Sequence, residues 1–115
     1  MKLRPVGIVI EAGDAARIRI YEQYSSALLR LTPGDEYWVL YWMHQLAESD
    51  RELLQAHPMG DRSKEKRGVF ALRSPMRPNP IGLTRVKLLE RDGNVLTVEG
   101  LDALEGSPVI DIKPC

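Results

Sequence analysis

A chain of 115 residues with 43% hydrophobic content is long enough to bury a core, and we expect a single domain over residues 1–115. Sixteen basic and sixteen acidic side chains cancel, so RNA binding would require a local basic patch rather than the net charge. The single cysteine, Cys115, excludes a disulfide framework within the chain and a cysteine metal site. Neither a membrane-length apolar run nor a signal-peptide pattern is found, which favours a cytoplasmic protein.

The first half of the chain contains several short predicted strands. Residues 6–10 form an apolar run typical of a buried strand, and residues 17–21 alternate apolar and basic side chains. Apolar residues at helical spacing predict a short helix over residues 22–31. Residues 37–43 contain both tryptophans and predict a strand, whose Trp38, Val39 and Leu40 we assign to the core.

The middle of the chain is more polar. Ser49 and Glu52 have the spacing of a capping box, which predicts a helix from Ser49 to about Ala56. Residues 61–67 form a charged loop, and the apolar residues 69–72 predict a buried strand after it.

Strand patterns dominate the last third. Residues 83–90 alternate, the Asp-Gly pair within 91–94 predicts a hairpin turn, and residues 95–100 return as the partner strand. After a connection at 101–106, residues 109–113 form a last strand. Six or so short strands with two short helices predict a mainly β fold, a small antiparallel β-barrel.

A proline-rich loop follows residue 72. Each proline fixes its own φ and holds the preceding residue extended, so the loop is stiff before anything binds. Such a loop presents a preorganised polar site; the alternative is a stiffened turn whose arginines point into water. The prolines are Pro75, Pro78 and Pro80, and the polar residues between them are Arg73, Arg77 and Asn79.

Several kinds of active site are not indicated. The two histidines lack metal-ligand spacing, no serine lies in a glycine elbow, and neither a dinucleotide-binding glycine motif nor a P-loop is found. What remains is a rigid, arginine-containing site to which His44, Gln45, Asn79 and Asp102 could contribute. Such a set suits binding and orienting a substrate better than covalent catalysis.

Three motifs carry a family resemblance. Residues 67–83, RGVFALRSPMRPNPIGL, closely resemble the signature RGVFATRSPFRPNPIGL of the TsaA/TrmO (YaeB-like) family. Residues 106–114 are similar to that family's GTPVLDIKPY ending, and residues 38–44 resemble its LWVLYWFH strand. The three motifs occur in the family's order and span most of the chain from Trp38 onward.

The resemblance implies a β-barrel that binds S-adenosylmethionine without a Rossmann fold. Family members methylate N6 of the threonylcarbamoyl-modified adenosine beside the tRNA anticodon, and they work as homodimers with the cofactor near the subunit interface. The implied partners are therefore tRNA and a second copy of the chain, with neither a membrane nor a metal. The implied cofactor-binding residues are His44, Gln45, Arg73, Leu83, Glu99, Gly100, Leu101 and Asp102.

The chain also departs from the family pattern. Residues 11–16 replace a longer N-terminal SPY…PRQ loop, Asp35-Glu36 replace a Ser-His pair, and Cys115 replaces a final tyrosine. We also expect that the extra C-terminal domain of bacterial members is absent. These differences are expected to change cofactor affinity and substrate identity and to leave the fold unaltered.

Methyl transfer to adenine N6 requires alignment of a weak nucleophile and an acceptor for its N–H hydrogen bond. The candidate catalytic residues are Asn79 and Asp111, either of which could accept that hydrogen bond. The aromatic ring of Trp42 or Tyr41 could stack on a base. Two alternatives stay open: a related methyltransferase for another RNA or a small molecule, and a non-catalytic module that binds S-adenosylmethionine or RNA. The predicted substrate- or RNA-binding residues are Arg77, Lys113, Arg62, Lys64, Lys66 and Arg67.

Overall fold

The computed structural model describes residues 1–115, which divide into two compact units. The first unit comprises Met1–Trp42 and Gly82–Cys115, and the second comprises Met43–Ile81. That the chain is a single domain stays a prediction. The strands in chain order are β1 (Gly7–Glu11), β2 (Ala15–Ile20), β3 (Glu36–Trp42), β4 (Gln55–Ala56), β5 (Arg67–Gly68), β6 (Ile81–Asp92), β7 (Val95–Glu99) and β8 (Pro108–Pro114).

The first unit is built on a closed barrel, which confirms the predicted fold class. Its strands follow the order β1-β2-β7-β6-β3-β8, and β8 pairs antiparallel with β1 to close the cylinder. The second unit contains the short antiparallel pair of β4 and β5. Closure leaves the barrel without an unpaired edge strand, so its backbone hydrogen bonds are satisfied internally.

Alternation along the strands directs side chains into the barrel. In β2 burial alternates strictly, so Ala16, Ile18 and Ile20 are buried while the arginines between them are exposed. In β3 the buried residues are Tyr37, Val39 and Tyr41. The assignment of Trp38 and Leu40 to the core was therefore wrong: they share the opposite, half-buried face of the strand.

The predicted hairpin is confirmed between β6 and β7. Gly93 in the two-residue turn has φ 60°, a left-handed conformation that glycine adopts without steric cost. Asp92 and Val95 pair directly on either side of the turn.

The helices differ from the prediction in type and extent. Residues Glu22–Leu28 form a 3₁₀ helix in which only Leu28 is buried. The second helix is a 3₁₀ segment over Glu48–Glu52, and residues 55–56 belong to β4, so a helix from Ser49 to Ala56 was wrong. The cap lies two residues earlier than predicted, because the backbone N–H of Ala47 donates to Asp50 Oδ2 at 2.9 Å.

The predicted strand at residues 69–72 was also wrong. Val69–Ala71 form a 3₁₀ turn in which Val69 is buried and the ring of Phe70 is 90% exposed. A further 3₁₀ turn spans Pro58–Gly60, with Met59 at φ 52°. A short apolar run does not distinguish a strand from a turn with one buried anchor.

Gly82 in β6 lies directly against the ring of Tyr41. A Cβ atom there would come within 2.5 Å of Cε2 of that ring and closer still to Cζ. We expect Gly82→Ala to lower the free energy of unfolding by about 1–3 kcal/mol, because the buried ring must move. Urea-induced unfolding measures the change. Gly68→Ala is the control, since the nearest atom to a Cβ at Gly68 is 3.9 Å away; equal effects of the two substitutions would contradict the prediction.

Candidate functional site

A hydroxyl pair fixes one carboxylate in the barrel unit. The phenol of Tyr41 donates to Asp102 Oδ1 at 2.8 Å, and Thr84 Oγ1 donates to the same oxygen at 2.6 Å. No side chain donates to Oδ2. The carboxylate is therefore oriented by the protein and still has an oxygen available for an external donor.

The local sequence explains why these three residues meet. Tyr41 lies on the inward face of β3 and Thr84 lies on β6, two residues after Gly82, whose missing side chain makes room for the tyrosine ring. Asp102 is exposed between two buried neighbours, Leu101 and Ala103. These apolar neighbours anchor the backbone of the connection, so the carboxylate is presented from a fixed segment.

Charge in this cluster follows from the hydrogen bonds. Burial alone would raise the pKa of Asp102, but the bonds from Thr84 and Tyr41 stabilise the ionised form and hold that pKa below its ordinary value. The pKa of Tyr41 is raised by burial and further by the hydrogen bond and the charge of Asp102, against the opposing effect of its contact with Thr84. At neutral pH the cluster is thus a neutral phenol beside an ionised carboxylate.

Four other predicted cofactor-binding residues lie in the barrel unit, and one of them, Leu101, is buried. Leu83 is exposed on β6, and Glu99 ends β7 in register with Lys87. Gly100 follows with φ +99°, and a Cβ there would lie 3.4 Å from the carbonyl oxygen of Arg85. Glycine is therefore suited to this turn, which leads the chain into Leu101 and Asp102.

The arginines of the proline loop have different roles in the second unit. Arg77 Nε donates to the carbonyl of Ser74 at 2.7 Å, and Nη2 donates to the carbonyls of Val69 and Leu72. Arg73 is exposed and forms neither a hydrogen bond nor an ion pair. Arg77 thus stabilises the loop from within, whereas the guanidinium of Arg73 is available to a ligand.

The remaining polar residues of this loop are partly engaged. Arg51 Nε donates to the carbonyl of Pro78 at 2.7 Å, and its Nη2 lies 3.4 Å from Oδ1 of the exposed Asn79. Pro80 is fully buried and its carbonyl accepts from the backbone N–H of Met43 at 2.8 Å. The loop is therefore fixed by contacts as well as by its prolines. The other predicted cofactor-binding residues of this unit, His44 and Gln45, are exposed in the turn after β3.

The charged segment at 61–67 is an ordered turn. Oδ1 of Asp61 accepts from the backbone N–H and the hydroxyl of Ser63, and these bonds lower the pKa of Asp61. The carbonyl of Lys64 lies 2.8 Å from Nδ1 of His57. The four predicted RNA-binding cations of the segment are all exposed: Arg62, Lys64, Lys66 and Arg67.

Asp111 does not join the Asp102 cluster. It pairs with Leu40 on the outward face of the sheet, whereas Tyr41 points inward, and its carboxylate lies 3.8 Å from the Lys113 ammonium. Both residues are exposed. Tyr41 is 6% exposed, so it cannot present its ring to a base, and the stacking role considered for it was wrong.

The family of the chain follows from its match to a known domain. A family model described as the tRNA-methyltransferase O N-terminal domain matches residues 5–115. The chain belongs to this family. The resemblance drawn from the three sequence motifs is thereby confirmed.

Curated relatives of this TrmO-family chain include archaeal proteins. A probable S-adenosyl-L-methionine-binding protein of Methanothermobacter thermautotrophicus is 44% identical, with 99% of this chain and 89% of the relative covered. Another probable S-adenosyl-L-methionine-binding protein, MJ1583 of Methanocaldococcus jannaschii, is 38% identical, with 96% of this chain and 89% of the relative covered.

Solved structures agree on the fold. TrmO from Pseudomonas aeruginosa matches with a TM-score of 0.72 and 25% identity, over 100% of this chain and 55% of that protein. A second crystal structure of TrmO matches with a TM-score of 0.74 and 29% identity, over 100% of this chain and 57% of that protein. The TrmO-family chain thus spans little more than half the length of these solved proteins.

Neither a membrane-spanning helix nor a group of metal-ligating side chains is present in the TrmO-family structure. None of its helical segments has the length and apolar character that a membrane crossing requires. No three histidine, cysteine, aspartate or glutamate side chains lie close enough together to hold a metal ion.

The depressed pKa of Asp102 predicts a pH effect on stability. Because the folded-state pKa lies below the unfolded value, Asp102 stabilises the fold above about pH 4, and this contribution is lost as pH falls through the folded-state pKa. We expect unfolding free energy to fall more steeply with acidification in the wild type than in Asp102→Asn. Urea titrations between neutral and acid pH measure both slopes; parallel curves would contradict the assignment.

The contacts of Arg77 predict a structural role. Arg77→Ala leaves three loop carbonyls without their charged donor, so we expect unfolding free energy to fall by about 2–3 kcal/mol and proteolysis within the loop to accelerate. Urea unfolding and limited proteolysis measure these effects. The matched control is the exposed Arg73→Ala, which should change stability by less than about 0.5 kcal/mol. Equal stability of the two variants would argue against the internal role.

Proposed function

We propose that this TrmO-family chain is an S-adenosylmethionine-dependent tRNA methyltransferase that acts on N6 of the threonylcarbamoyl-modified adenosine beside the anticodon. The single observation that carries the proposal is the oriented carboxylate of Asp102 within a chain matched to the tRNA-methyltransferase O N-terminal domain. The names of the curated relatives support S-adenosylmethionine as a ligand, and the description of the matched domain supports tRNA.

The donor set of the Asp102 cluster fits this cofactor. An ionised carboxylate with one oxygen held by Tyr41 and Thr84 can accept hydrogen bonds from ribose hydroxyls or from an ammonium group through the other. S-adenosylmethionine offers both kinds of donor, and its sulfonium supplies an activated methyl group. Further cofactor contacts are proposed at Leu83, Glu99, Gly100 and Leu101 of the barrel unit and at His44, Gln45 and Arg73 of the second unit.

Exposed cations of the second unit are proposed to hold the RNA. Arg62, Lys64, Lys66 and Arg67 can contact phosphates from an ordered turn, and phosphate contacts position RNA without reading its sequence. Lys113 of the barrel unit remains a proposed contact. For Arg77, whose Nε and Nη2 already serve loop carbonyls, only Nη1 is left for a substrate.

The proposed catalytic step needs an acceptor for the N–H of the attacking amine. Asn79 Oδ1 and the Asp111 carboxylate have the required chemistry, and each is exposed. Each also has a neighbour that orients it: Arg51 for Asn79, and the backbone N–H of Ile112, 2.9 Å from the Asp111 carboxylate. Association into a homodimer and a cytoplasmic location remain part of the proposal.

Cofactor binding is tested by calorimetry with S-adenosylmethionine. Asp102→Asn removes the charge and should weaken binding by about 10- to 150-fold, the loss of a hydrogen bond to a charged group. Arg73→Ala should weaken it as well. The matched control is Asp35→Asn, an exposed aspartate that is not assigned to the site. If the wild type does not bind S-adenosylmethionine at high micromolar concentration, two hypotheses are excluded: the tRNA N6-methyltransferase and the related methyltransferase for another RNA or a small molecule.

A methyl-transfer assay tests the acceptor. We expect label to enter threonylcarbamoylated tRNA and not the same tRNA without that modification. Lys64→Ala should weaken tRNA binding and reduce the slope of log K against log salt by about 1, because one phosphate contact is lost. Binding of cofactor and tRNA without methyl transfer would instead identify a non-catalytic binding module.

A further inference from the structure

Phe70 is an aromatic side chain that the fold leaves in solvent. It is 90% exposed, although its neighbour Val69 is 2% exposed and anchors the same 3₁₀ turn. It is the only phenylalanine of the chain. Full burial of such a ring would stabilise the fold by about 1.5–3 kcal/mol, and the exposed Phe70 does not provide this stabilisation. Its exposure therefore indicates a role other than packing.

The exposed ring does not lie on a loose segment. The Arg77 guanidinium binds the carbonyls of Val69 and Leu72, which flank Phe70 on both sides. The backbone N–H of Leu72 also donates to the carbonyl of Val69 at 3.1 Å, and the N–H of Val69 donates to the carbonyl of Leu54 at 2.9 Å. The backbone that carries Phe70 is therefore held in place, which lowers the entropic cost to a ligand that uses the ring.

The chain segment from Lys66 to Ile81, which carries the ring, has charge of one sign. Residues 66–81 contain four cationic side chains and no carboxylate. Arg67 and Arg73 lie three residues before and after Phe70, and both are exposed. Exposed aromatic rings interspersed with cations are the pattern by which proteins bind single-stranded nucleic acid, with stacking on the bases and ion pairs to the phosphates.

We propose that Phe70 is a stacking platform for an unpaired base of the RNA substrate, with the exposed Arg67 beside it in the chain facing the backbone phosphates. The proposal rests on the proposed function, because a tRNA anticodon loop supplies unpaired bases. It also provides the aromatic contact that Tyr41, buried in the barrel unit, cannot make.

Binding of a fluorescein-labelled anticodon stem-loop RNA, followed by anisotropy, tests the proposal. Phe70→Ala and Phe70→Leu should each weaken binding by about 5- to 150-fold, because leucine keeps apolar bulk and lacks the aromatic face. Phe70→Trp should retain wild-type affinity. Met59→Ala is the matched control: Met59 is 98% exposed in the same unit, and its removal should leave affinity unchanged.

The salt dependence separates stacking from charge. Phe70→Ala should leave the slope of log K against log salt unchanged, because the ring neutralises no phosphate, whereas Lys64→Ala should reduce the slope. Cofactor affinity, measured by calorimetry, should be equal in Phe70→Ala and the wild type, and far-ultraviolet circular dichroism should confirm that the variants fold.

The possible failures are distinguishable. Wild-type protein that does not bind the stem-loop RNA would overturn the proposed function and this inference together. If the wild type binds and Phe70→Ala and Phe70→Leu bind equally well, stacking is refuted while the proposed function stands. If Phe70→Ala instead dissociates a dimer in sedimentation velocity, the ring belongs to a subunit interface and the inference is wrong.

Discussion

The hydrogen bond from Tyr41 to Asp102 is the interaction on which the candidate site depends. It joins residues 61 positions apart, and it forms only because the barrel brings β3 beside β6, where Gly82 leaves space for the phenol ring. The same bond has opposite effects on its two partners. It stabilises the ionised form of Asp102, and together with burial it keeps the Tyr41 hydroxyl neutral. Orientation of the carboxylate is thus a property of the closed barrel as a whole.

Much of the barrel could be predicted from local pattern. Alternation in β2 and the Asp-Gly pair before β7 depend on neighbouring residues alone, and both led to the correct elements. Asp102 could be proposed as a ligand-binding residue because the family resemblance covered it. Its partners could not, because nothing near Tyr41 or Thr84 in the sequence indicates a carboxylate so distant along the chain.

The wrong predictions have different physical causes. In residues 69–72 a side chain from the following loop decided the conformation, whereas in the polar segment from Ser49 a neighbouring local cap competed with the predicted one. The Arg77 side chain holds the carbonyls of Val69 and Leu72 in a turn, and Asp50 caps a helix that begins earlier than the Ser49 pattern suggested. Composition identified the arginines of the loop without showing which of them faces inward.

Arg77, the arginine that binds carbonyls within the proline loop, also affects how the loop responds to pH. A guanidinium keeps its charge over the whole range in which proteins are folded, unlike a carboxylate or an imidazole. Because Arg77 holds carbonyl oxygens, which do not titrate, the bonds within this loop contain no group that gains or loses a proton near neutrality. The turn that carries Phe70 should therefore keep its shape through mild acidification, even where the protonation of a bound ligand changes.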